Sequence, residues 1–570
     1  MPGKIITKFK NWLGSVFETK MDILTAVVLV LFLLVNILKI ALFNQILVPN
    51  ADKWMLRYKL ITTFLVVVIT YPVLFRFKSR ALFVTFYLLQ LVYILVNLAY
   101  YLYFHDYLHI EQFISNFYEG FTAVQNSSGP KSPLLLVSIL DLPFFIYLAL
   151  YYFKANRLRK KLRYLIYIAV ILSLCTTTYM EYRHYQEKNF LTDISKNMFL
   201  GESRIVQRYG TLINNGVSIY NNKSTADYIK SFKYGKEQAN KTEKENKPNI
   251  FVIQVESMDA SIVREKHDGS YVMPYLNSLT QNSVYYPYVL SYHLGGGTSD
   301  SEFSVINSVE PIVGYPSIKL TTYQAPNSFV SRLDAAGYEA NAFHGNVGRF
   351  YNRDVAFHKF GFKDFYDIAR MGMKDVGWGA PDADVFNYAL EKSKEMTQPF
   401  LTYTITMTSH GPFTNASNYY NNPAYNDIQE KLVKDYFNSM SYVDESIKAY
   451  VQKIQQEYAN AYIFIWGDHT PKIESKVFKQ SSVMIDSKLY EFVPFIAITP
   501  DKQVYNEQKN AATFLDVAPT ILNASGIKFS ILSDGTNLLE PGGTPGKIPY
   551  RGIEWDRAAL FEKISAAMKQ

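Results

Sequence analysis

The sequence is almost free of cysteine, with Cys175 as the single one among 570 residues. One cysteine excludes an intrachain disulfide framework and a cysteine-based zinc site. We also find no internal repeat. The net charge of +8 comes largely from short basic clusters between apolar runs. Clusters in that position set membrane orientation, so they do not indicate a nucleic-acid surface.

Long apolar runs dominate the first third of the chain. Five of them are long enough to cross a bilayer, which takes about 20 helical residues. The first follows a lysine-rich start but lacks a small-residue cleavage site, so we expect it to be retained rather than removed as a signal peptide. We therefore predict a transmembrane domain over 1–180, with five spans at 22–45, 58–75, 81–104, 133–153 and 164–180.

The charges between these spans predict their orientation. The N-terminus and the loops after the second and fourth spans carry several lysine and arginine residues, whereas the loop after the third span is mainly acidic. Because cytoplasmic loops carry the excess of lysine and arginine, we expect the N-terminus in the cytoplasm and everything after residue 180 outside. Lys39 lies within the first span near its outer end, and we interpret it as a side chain that snorkels to the interface.

The composition changes again after the last span. Residues 181–247 are partly helical in pattern and then strongly polar, which is typical of a linker. From residue 248 apolar runs alternate with amphipathic segments, which predicts a mostly parallel sheet covered by helices over 248–540 and a C-terminal tail at 541–570. The predicted strands are 249–257, 338–345, 400–410, 461–469 and 492–498, and the predicted helices are 325–336, 382–396 and 430–458.

Acidic and imidazole groups stand at the ends of four of these strands. Glu256 ends the first, His344 the second, His410 the third and Asp468–His469 the fourth. Sites in open α/β sheets form at the carboxyl ends of strands, so we expect these groups at one edge. Each residue alone has a plainer explanation as a cap, a turn or a surface histidine, but the conjunction favours a site.

A glycine run supplies a candidate nucleophile. LGGGTSDSEF, residues 294–303, leads into a helix in which Ser299 and Glu302 have the spacing of a capping box. Thr298 is then expected as the last residue before the helix, with its hydroxyl near free N–H groups that bind phosphate oxygens. The alternative is an ordinary glycine-rich loop before a well-capped helix.

A threonine hydroxyl needs a base or a metal ion to become an effective nucleophile. Glu256, Asp468 and His469 offer two carboxylates and an imidazole, which would complete a small ligand set with the Thr298 oxygen. Oxygen and imidazole ligands without thiolate suit Mn²⁺, Mg²⁺ or Zn²⁺, and the ligand types do not choose among them.

Together these motifs resemble those of the lipoteichoic acid synthases, which are membrane phosphoglycerol transferases of the sulfatase and alkaline phosphatase superfamily. The resemblance implies a five-helix transmembrane domain followed by an α/β sulfatase-like (alkaline-phosphatase-like) domain with a mostly parallel central sheet. It rests on IQVES at Glu256, GGGTSDSEF at Thr298, FHGN at His344, FYNRD at Tyr351–Arg353, MTSHGPF at His410 and WGDH at Asp468–His469, and it covers about residues 249–530.

The resemblance implies a reaction. One divalent metal ion, with Mn²⁺ expected before Mg²⁺ or Zn²⁺, would be held by Glu256, Thr298, Asp468 and His469. Thr298 would attack the phosphorus of phosphatidylglycerol, release diacylglycerol and form a glycerophospho-threonine. An alcohol, such as a glycolipid or the end of a polyglycerolphosphate chain, would then accept the glycerophosphate.

The resemblance also assigns the surrounding residues. His344, Tyr351, Arg353 and His410 would bind the phosphate and glycerol, and the two histidines would also move protons. The chain is accordingly expected to be a multi-pass protein of the cell membrane, with an extracytoplasmic catalytic domain.

Two other functions remain open. One is a phosphoethanolamine transferase of the same superfamily that acts on phosphatidylethanolamine. The other, from a different class, is an inactive membrane scaffold. A true sulfatase is disfavoured because the sequence has no Cys/Ser-x-Pro-x-Arg nucleophile motif.

Overall fold

The chain forms two compact units, which are described separately. One comprises residues 1–111 and 129–221, and the other comprises residues 112–128 and 222–570. The computed structural model describes residues 20–47, 71, 79–104, 133–152, 175, 179, 211, 225–294, 296–312, 316–320, 322–471, 473, 475–485, 488–540 and 546–569.

The described residues of the first unit form apolar helices. Its described helices are α1 (Lys20–Leu47), α2 (Arg80–Phe104), the 3-10 helix Pro133–Ile139 and α3 (Leu142–Tyr151). Within the described residues, three segments are long and apolar enough to cross a membrane, namely Ile23–Leu47, Arg80–Ala99 and Pro133–Tyr151.

These three segments coincide with the predicted spans at 22–45, 81–104 and 133–153. The predicted spans at 58–75 and 164–180 lie outside the described residues, apart from isolated positions. The count of five spans therefore stays a prediction.

A buried polar cluster lies among these helices and contradicts the prediction for Lys39. Its side chain does not snorkel to an interface, because it is fully buried and its Nζ lies 2.8 Å from both carboxylate oxygens of Asp141. Tyr87 donates a hydrogen bond to the same carboxylate, and Gln90 accepts one from Lys39. Asp141, just before α3, explains why the prediction was wrong. A buried cation requires a paired anion, and Asp141 supplies that anion.

This pair makes a specific stability prediction. Asp141→Leu leaves the Lys39 ammonium buried without its counter-charge, so we expect the helical unit to lose about 3–5 kcal/mol of stability. The loss should appear as a lower temperature of aggregation for the detergent-solubilised full chain. The double variant Lys39→Met with Asp141→Leu removes both charges and should recover most of the loss. A double variant no more stable than Asp141→Leu would contradict an ion-pair role.

The second unit is an α/β domain built on a mixed sheet of ten described strands. Its α-helices are α4 (Thr225–Ser231), α5 (Pro274–Asn282), α6 (Thr298–Asn307), α7 (Phe329–Ala335), α8 (Arg353–Phe360), α9 (Asp382–Glu395), α10 (Lys431–Glu457), α11 (Val517–Ser525) and α12 (Arg557–Lys569). Its strands are β1 (Lys236–Asn240), β2 (Ile250–Val255), β3 (Lys266–His267), β4 (Ser270–Tyr271), β5 (Val284–Leu290), β6 (Glu339–His344), β7 (Asp364–Tyr366), β8 (Phe400–Ile405), β9 (Tyr462–Gly467), β10 (Ser482–Ile485), β11 (Lys488–Ile498), β12 (Tyr505–Asn506), β13 (Ala512–Thr513), β14 (Phe529–Ser533), β15 (Lys547–Tyr550) and β16 (Ile553–Asp556).

The order of the strands along the sheet is β12-β5-β11-β9-β2-β8-β6-β7, with β10 paired to β11 and β13 to β5. Strands β9, β2, β8 and β6 are neighbours and run parallel. Among the described strands of this sheet, β11 runs against the common direction and is antiparallel to its neighbours β5, β9 and β10. The sheet is therefore mixed rather than uniformly parallel.

Two hydrophobic cores cover the faces of the sheet. Side chains alternate along β2, so Ile250 and Val252 enter one core while Phe251 and Ile253 enter the other. The first core includes α6, α7, α8, α11 and α12, and the second includes α5, α9 and α10. Helix α10 shows the sequence origin of this packing, because its apolar residues recur every three or four positions. They are Val433, Tyr436, Phe437, Met440, Val443, Ile447, Tyr450, Val451 and Ile454.

Structured segments extend beyond both predicted boundaries of this domain. In the predicted linker, β1 pairs antiparallel with β14, and Phe232 stacks on Phe303 of α6 at 5.4 Å between ring centroids. In the predicted tail, β15 pairs with β16, and Leu560 and Ile564 of α12 are fully buried in the first core. The polar composition of 233–247 hid the strand because β1 lies on the surface, where one-sided pairing does not require apolar residues.

Candidate active site

The parallel strands bring the predicted residues to one edge of the sheet. Glu256 directly follows β2, and Asp468 and His469 directly follow β9, its neighbour. His344 ends β6, and His410 lies in the loop after β8, the strand between β2 and β6. The carboxyl ends of parallel strands meet at the same edge, which explains why four separate motifs converge.

Two carboxylates and one imidazole form the centre of the site. Glu256, Asp468 and His469 each offer a ligand atom, and these atoms lie within 4.8 Å of one another. His469 Nε2 is 3.1 Å from Glu256 Oε1 and 3.8 Å from Asp468 Oδ1. The hydroxyl of Thr298 lies 3.2 Å from Glu256 Oε2 and 3.3 Å from His469 Nε2. All four predicted ligands are therefore in contact.

The hydrogen bonds of Asp468 and His469 fit a cation at this point. Asp468 Oδ1 accepts from the backbone N–H groups of Ser257 and His469, whereas Oδ2 is buried without a hydrogen-bond partner. A buried carboxylate oxygen without a partner costs free energy unless a ligand satisfies it. His469 Nδ1 lies 2.9 Å from the carbonyl of Thr470, which directs Nε2 toward the other ligands. The donor set thus fits one divalent ion.

The charges of Glu256, Asp468 and His469 also favour a bound cation. Burial raises the pKa of Asp468 well above its usual value, and the charge of Glu256 raises it further. Burial also raises the pKa of Glu256, but the adjacent His469 outweighs this effect, so the pKa lies below its usual value. Burial lowers the pKa of His469, yet Asp468 and Glu256 raise it to about 10. Buried negative charge in this amount is stabilised by a positive ion.

Helix α6 presents the hydroxyl of Thr298, although the capping-box prediction was wrong. Thr298 is the first residue of the helix rather than the last before it, and Gly297, with φ +58°, precedes it as the cap. Ser299 donates to the carbonyl of Gly296, and Glu302 binds elsewhere. A side chain at Gly296 would lie 2.5 Å from an oxygen of Asp300, so the turn requires glycine there.

Glu302 instead holds Arg353, a predicted substrate residue. The guanidinium donates three hydrogen bonds of 2.9–3.0 Å from Nε and Nη2 to the two carboxylate oxygens, and both side chains are buried. Arg353 Nη1 makes no hydrogen bond to a described residue. Gln254 supports the carboxylate at 3.4 Å and itself accepts from Tyr403 at 2.8 Å. The sequence predicted Glu302 as a capping residue because of its spacing from Ser299. That spacing could not reveal its partner Arg353, which lies about fifty residues later.

The two predicted histidines differ in exposure, since His344 is buried and His410 is half-buried. Burial lowers the pKa of His344 to about 3, with Arg353 contributing, and burial also lowers the pKa of His410. His344 Nδ1 has no hydrogen-bond partner, whereas His410 Nδ1 lies 2.8 Å from the carbonyl of Gly411. The ring of Trp378 packs against that of His410 at a tilt of 32° with 4.7 Å between ring centroids, a contact that the sequence did not reveal.

Tyr351 and the glycine loop line the same region. Tyr351 adopts a left-handed backbone conformation with φ +56°, which is uncommon for an aromatic residue. Its hydroxyl lies 3.7 Å from the point where a side chain at Gly297 would begin. The structure therefore places the predicted substrate residue Tyr351 beside the turn that precedes Thr298.

Sequence reasoning missed a second carboxylate–imidazole pair beside the centre. His293 Nδ1 lies 2.9 Å from Glu491 Oε2, and the ring of His293 stacks on that of His469 at 4.1 Å and 12°. Glu491 is buried, and its other oxygen accepts a 2.6 Å hydrogen bond from Thr470. Two signals were present: a histidine just before the glycine run, and a lone carboxylate inside an apolar strand.

A second cluster of potential ligands occurs on the surface. His267, Asp268 and Asp427 also lie within ligand distance of one another, but both aspartates are exposed. Exposed acidic side chains are solvated by water and do not need a cation. The exposed cluster therefore offers a matched control for the buried one.

Comparison with known proteins identifies the domain. Residues 248–527 match the family model described as Sulfatase. The chain is 27% identical over 319 residues to the lipoteichoic acid synthase-like YvgJ of Bacillus subtilis, covering 53% of this chain and 52% of that protein. It is 30% identical over 366 residues to a lipoteichoic acid synthase of Staphylococcus saprophyticus, covering 58% and 55%. The chain thus spans about half the length of these curated relatives.

A solved membrane protein shares the fold over most of the chain. The lipooligosaccharide phosphoethanolamine transferase A of Neisseria meningitidis aligns with a TM-score of 0.56 at 15% identity, covering 90% of this chain and 98% of that one. At that identity the likeness concerns the fold alone. Residues 248–527 thus match the Sulfatase family model, and together with the curated relatives this match supports a lipoteichoic acid synthase-like protein of the alkaline phosphatase superfamily.

Proposed function

We propose that the chain is a metal-dependent transferase that moves glycerophosphate from phosphatidylglycerol to an alcohol acceptor. The observation that carries this proposal is the hydroxyl of Thr298 at the start of α6, 3.2 Å from Glu256 and 3.3 Å from His469. A hydroxyl at a helix N-terminus meets the positive end of the helix dipole, which favours an approaching phosphate. The lipoteichoic acid synthases among its relatives support glycerophosphate as the transferred group.

Glu256, Thr298, Asp468 and His469 would hold the metal ion, and Mn²⁺ is our expectation for its identity. When bound, a divalent cation supplies the positive charge that lowers the pKa of a hydroxyl and stabilises charge on phosphate oxygens. The partnerless Oδ2 of Asp468 is the atom that most clearly requires such a ligand.

The proposed reaction has two displacements at phosphorus. In the first, the hydroxyl of Thr298 loses its proton and Oγ1 forms a bond to phosphorus, while the bond to the diacylglycerol oxygen breaks and that oxygen takes a proton. In the second, the acceptor hydroxyl loses a proton and attacks the same phosphorus, and the bond to Thr298 breaks. Glycerophosphate is thereby transferred and the threonine hydroxyl is restored. Splitting one transfer into two steps is the general advantage of a covalent intermediate.

His344 and His410 are proposed to bind substrate oxygens and to carry these protons. Both imidazoles are neutral because burial lowers their pKa, so each can donate one N–H and accept at the other nitrogen. The partnerless Nδ1 of His344 offers a hydrogen-bonding atom inside the site. A neutral imidazole can deliver a proton to one alcohol and take it from another.

Arg353 and Tyr351 are proposed to orient the phosphate and glycerol. Glu302 fixes the guanidinium through Nε and Nη2, which leaves Nη1 for a phosphate oxygen. Binding through one nitrogen differs from the two-nitrogen clamp that arginine often makes with phosphate. Tyr351 lies against the turn before Thr298, where its hydroxyl can limit the size of the group bound to phosphorus.

The membrane segments provide a location for this chemistry. We propose that the apolar helices anchor the chain in the cell membrane with the catalytic domain on the extracytoplasmic side. The lipid donor then lies in the same membrane as the enzyme, which raises its effective concentration near the site. A glycolipid or a growing polyglycerolphosphate chain is the proposed acceptor.

Donor choice is the test that separates the possible functions. The full chain, purified in detergent, is incubated with Mn²⁺ and vesicles of labelled phosphatidylglycerol or phosphatidylethanolamine, and diacylglycerol release is measured. We expect release from phosphatidylglycerol to exceed that from phosphatidylethanolamine by at least about tenfold, a difference of roughly 1.4 kcal/mol in transition-state binding. The reverse preference would establish the phosphoethanolamine transferase. No release from either lipid by folded, metal-loaded protein would support the inactive scaffold.

A further inference from the structure

We propose that His293 and Glu491 are positioning residues that hold the imidazole of His469 in the orientation required for metal binding. This inference rests on the proposed function, because it assumes that His469 is a metal ligand. Neither residue is placed in contact with the reacting phosphorus. They act through their contacts with His469 and with Thr470, the residue that follows it.

A single hydrogen bond orients His469 within its own segment. Its Nδ1 lies 2.9 Å from the carbonyl of Thr470. One bond at the ring edge sets the direction of that nitrogen, but the ring can still tilt about the bond. A metal ligand requires more than this, because the lone pair of Nε2 must point at the ion within a narrow cone.

His293 supplies the second constraint. Its ring lies almost parallel to that of His469, with 4.1 Å between centroids and 12° between planes. A parallel ring at this distance leaves no space for the His469 imidazole to tilt toward it. The Nε2 of His293 also lies 3.7 Å from the point where a side chain at Gly297 would begin, so His293 borders the turn before Thr298 as well.

Glu491 connects the two constraints. Its Oε2 lies 2.9 Å from His293 Nδ1, and its Oε1 accepts the 2.6 Å hydrogen bond from the hydroxyl of Thr470. One buried carboxylate therefore fixes both the ring above His469 and the residue whose carbonyl binds His469.

The backbone explains why these residues meet. Glu491 lies on β11, the antiparallel strand between β5 and β9. The N–H of Ser291, just after β5, donates to the carbonyl of Glu491 at 2.9 Å, and His293 follows two residues later. His469 and Thr470 follow β9 on the other side of β11. The reversed strand thus presents one side chain to loops from both of its neighbours.

Mn²⁺ affinity is the measurement that tests this role. Titration calorimetry on the detergent-purified full chain compares wild type with His293→Ala and Glu491→Gln. We expect each variant to bind Mn²⁺ about 10–100-fold more weakly, the effect typical of residues that orient a metal ligand. The matched control is His267→Ala, which removes another histidine that is paired with a carboxylate, Asp427, at 2.8 Å. The control should bind Mn²⁺ with wild-type affinity.

The outcomes separate this inference from the function on which it rests. Wild-type protein that fails to bind Mn²⁺ would overturn the metal centre itself. Wild-type binding together with unchanged affinity in Glu491→Gln, whose side chain keeps the shape of glutamate, would overturn only the positioning role. Thermal melting without metal verifies the fold of each variant. Weaker Mn²⁺ binding by a variant that melts like wild type supports positioning, because general destabilisation would lower the melting temperature.

Discussion

Replacing Thr298 by alanine is expected to abolish the release of diacylglycerol from phosphatidylglycerol. The substitution removes the oxygen that would form the bond to phosphorus, and the next hydroxyl of α6, on Ser299, is buried and donates to the carbonyl of Gly296. Loss of a nucleophile typically lowers kcat by at least about 10³-fold. The assay uses labelled lipid with the full chain in Mn²⁺, and Mn²⁺ affinity is measured in parallel.

Serine is the matched control at this position. Thr298→Ser keeps the hydroxyl and the helix start, so it should retain a measurable fraction of wild-type transfer. Thr298 is only half-buried, and alanine is well tolerated in helices, so Thr298→Ala should fold normally. Turnover within a few-fold of wild type in Thr298→Ala would refute the covalent mechanism, whatever the metal content of the protein.

Asp468→Asn is expected to have a comparably large effect on metal binding. Asparagine preserves an oxygen that can accept from the N–H groups of Ser257 and His469, as Oδ1 of Asp468 does. It replaces the partnerless Oδ2 with an amide nitrogen, which cannot bind a cation, and it removes one negative charge. We expect Mn²⁺ affinity to fall by at least about 100-fold, since even residues that only orient a ligand contribute 10–100-fold.

The exposed cluster provides the control for this experiment. Asp427→Asn changes a carboxylate of the His267–Asp268–Asp427 group in the same chemical way, and it should leave Mn²⁺ affinity and transfer unchanged. If Asp427→Asn weakened binding while Asp468→Asn did not, the metal would bind at the surface cluster. The proposed mechanism would then lose its activating ion. Chelation followed by addition of Mn²⁺ should abolish and restore transfer by wild-type protein.

The convergence of the site could be predicted from sequence because it follows from the direction of the strands. Four of the five predicted strands end in residues with metal-binding or proton-transfer chemistry, and parallel strands place their carboxyl ends together. Glu256, Asp468 and His469 satisfied this rule directly, since each lies one or two residues beyond its strand. Thr298 required in addition a glycine run and a helix start, which are also local signals.

Other features depended on pairs far apart in the chain. Glu302 has the spacing of a capping residue, and only the fold reveals that Arg353 lies beside it. Lys39 has its counter-charge in Asp141, which is separated from it by about a hundred residues. His293 and Glu491 are joined only because β11 runs against its neighbours. Local patterns do not determine such contacts, because the contacts arise from the packing of elements that are far apart in the chain.

The pairing of β1 with β14 determines where the folded domain can be shortened. A fragment beginning at residue 248 would lose β1, and β14 would become an open edge whose backbone groups can recruit another copy of the chain. It would also lose Phe232 and expose part of Phe303, an aromatic residue of the helix that begins with Thr298. A trimmed version suited to crystallisation or inhibitor screening should therefore start ahead of Thr225.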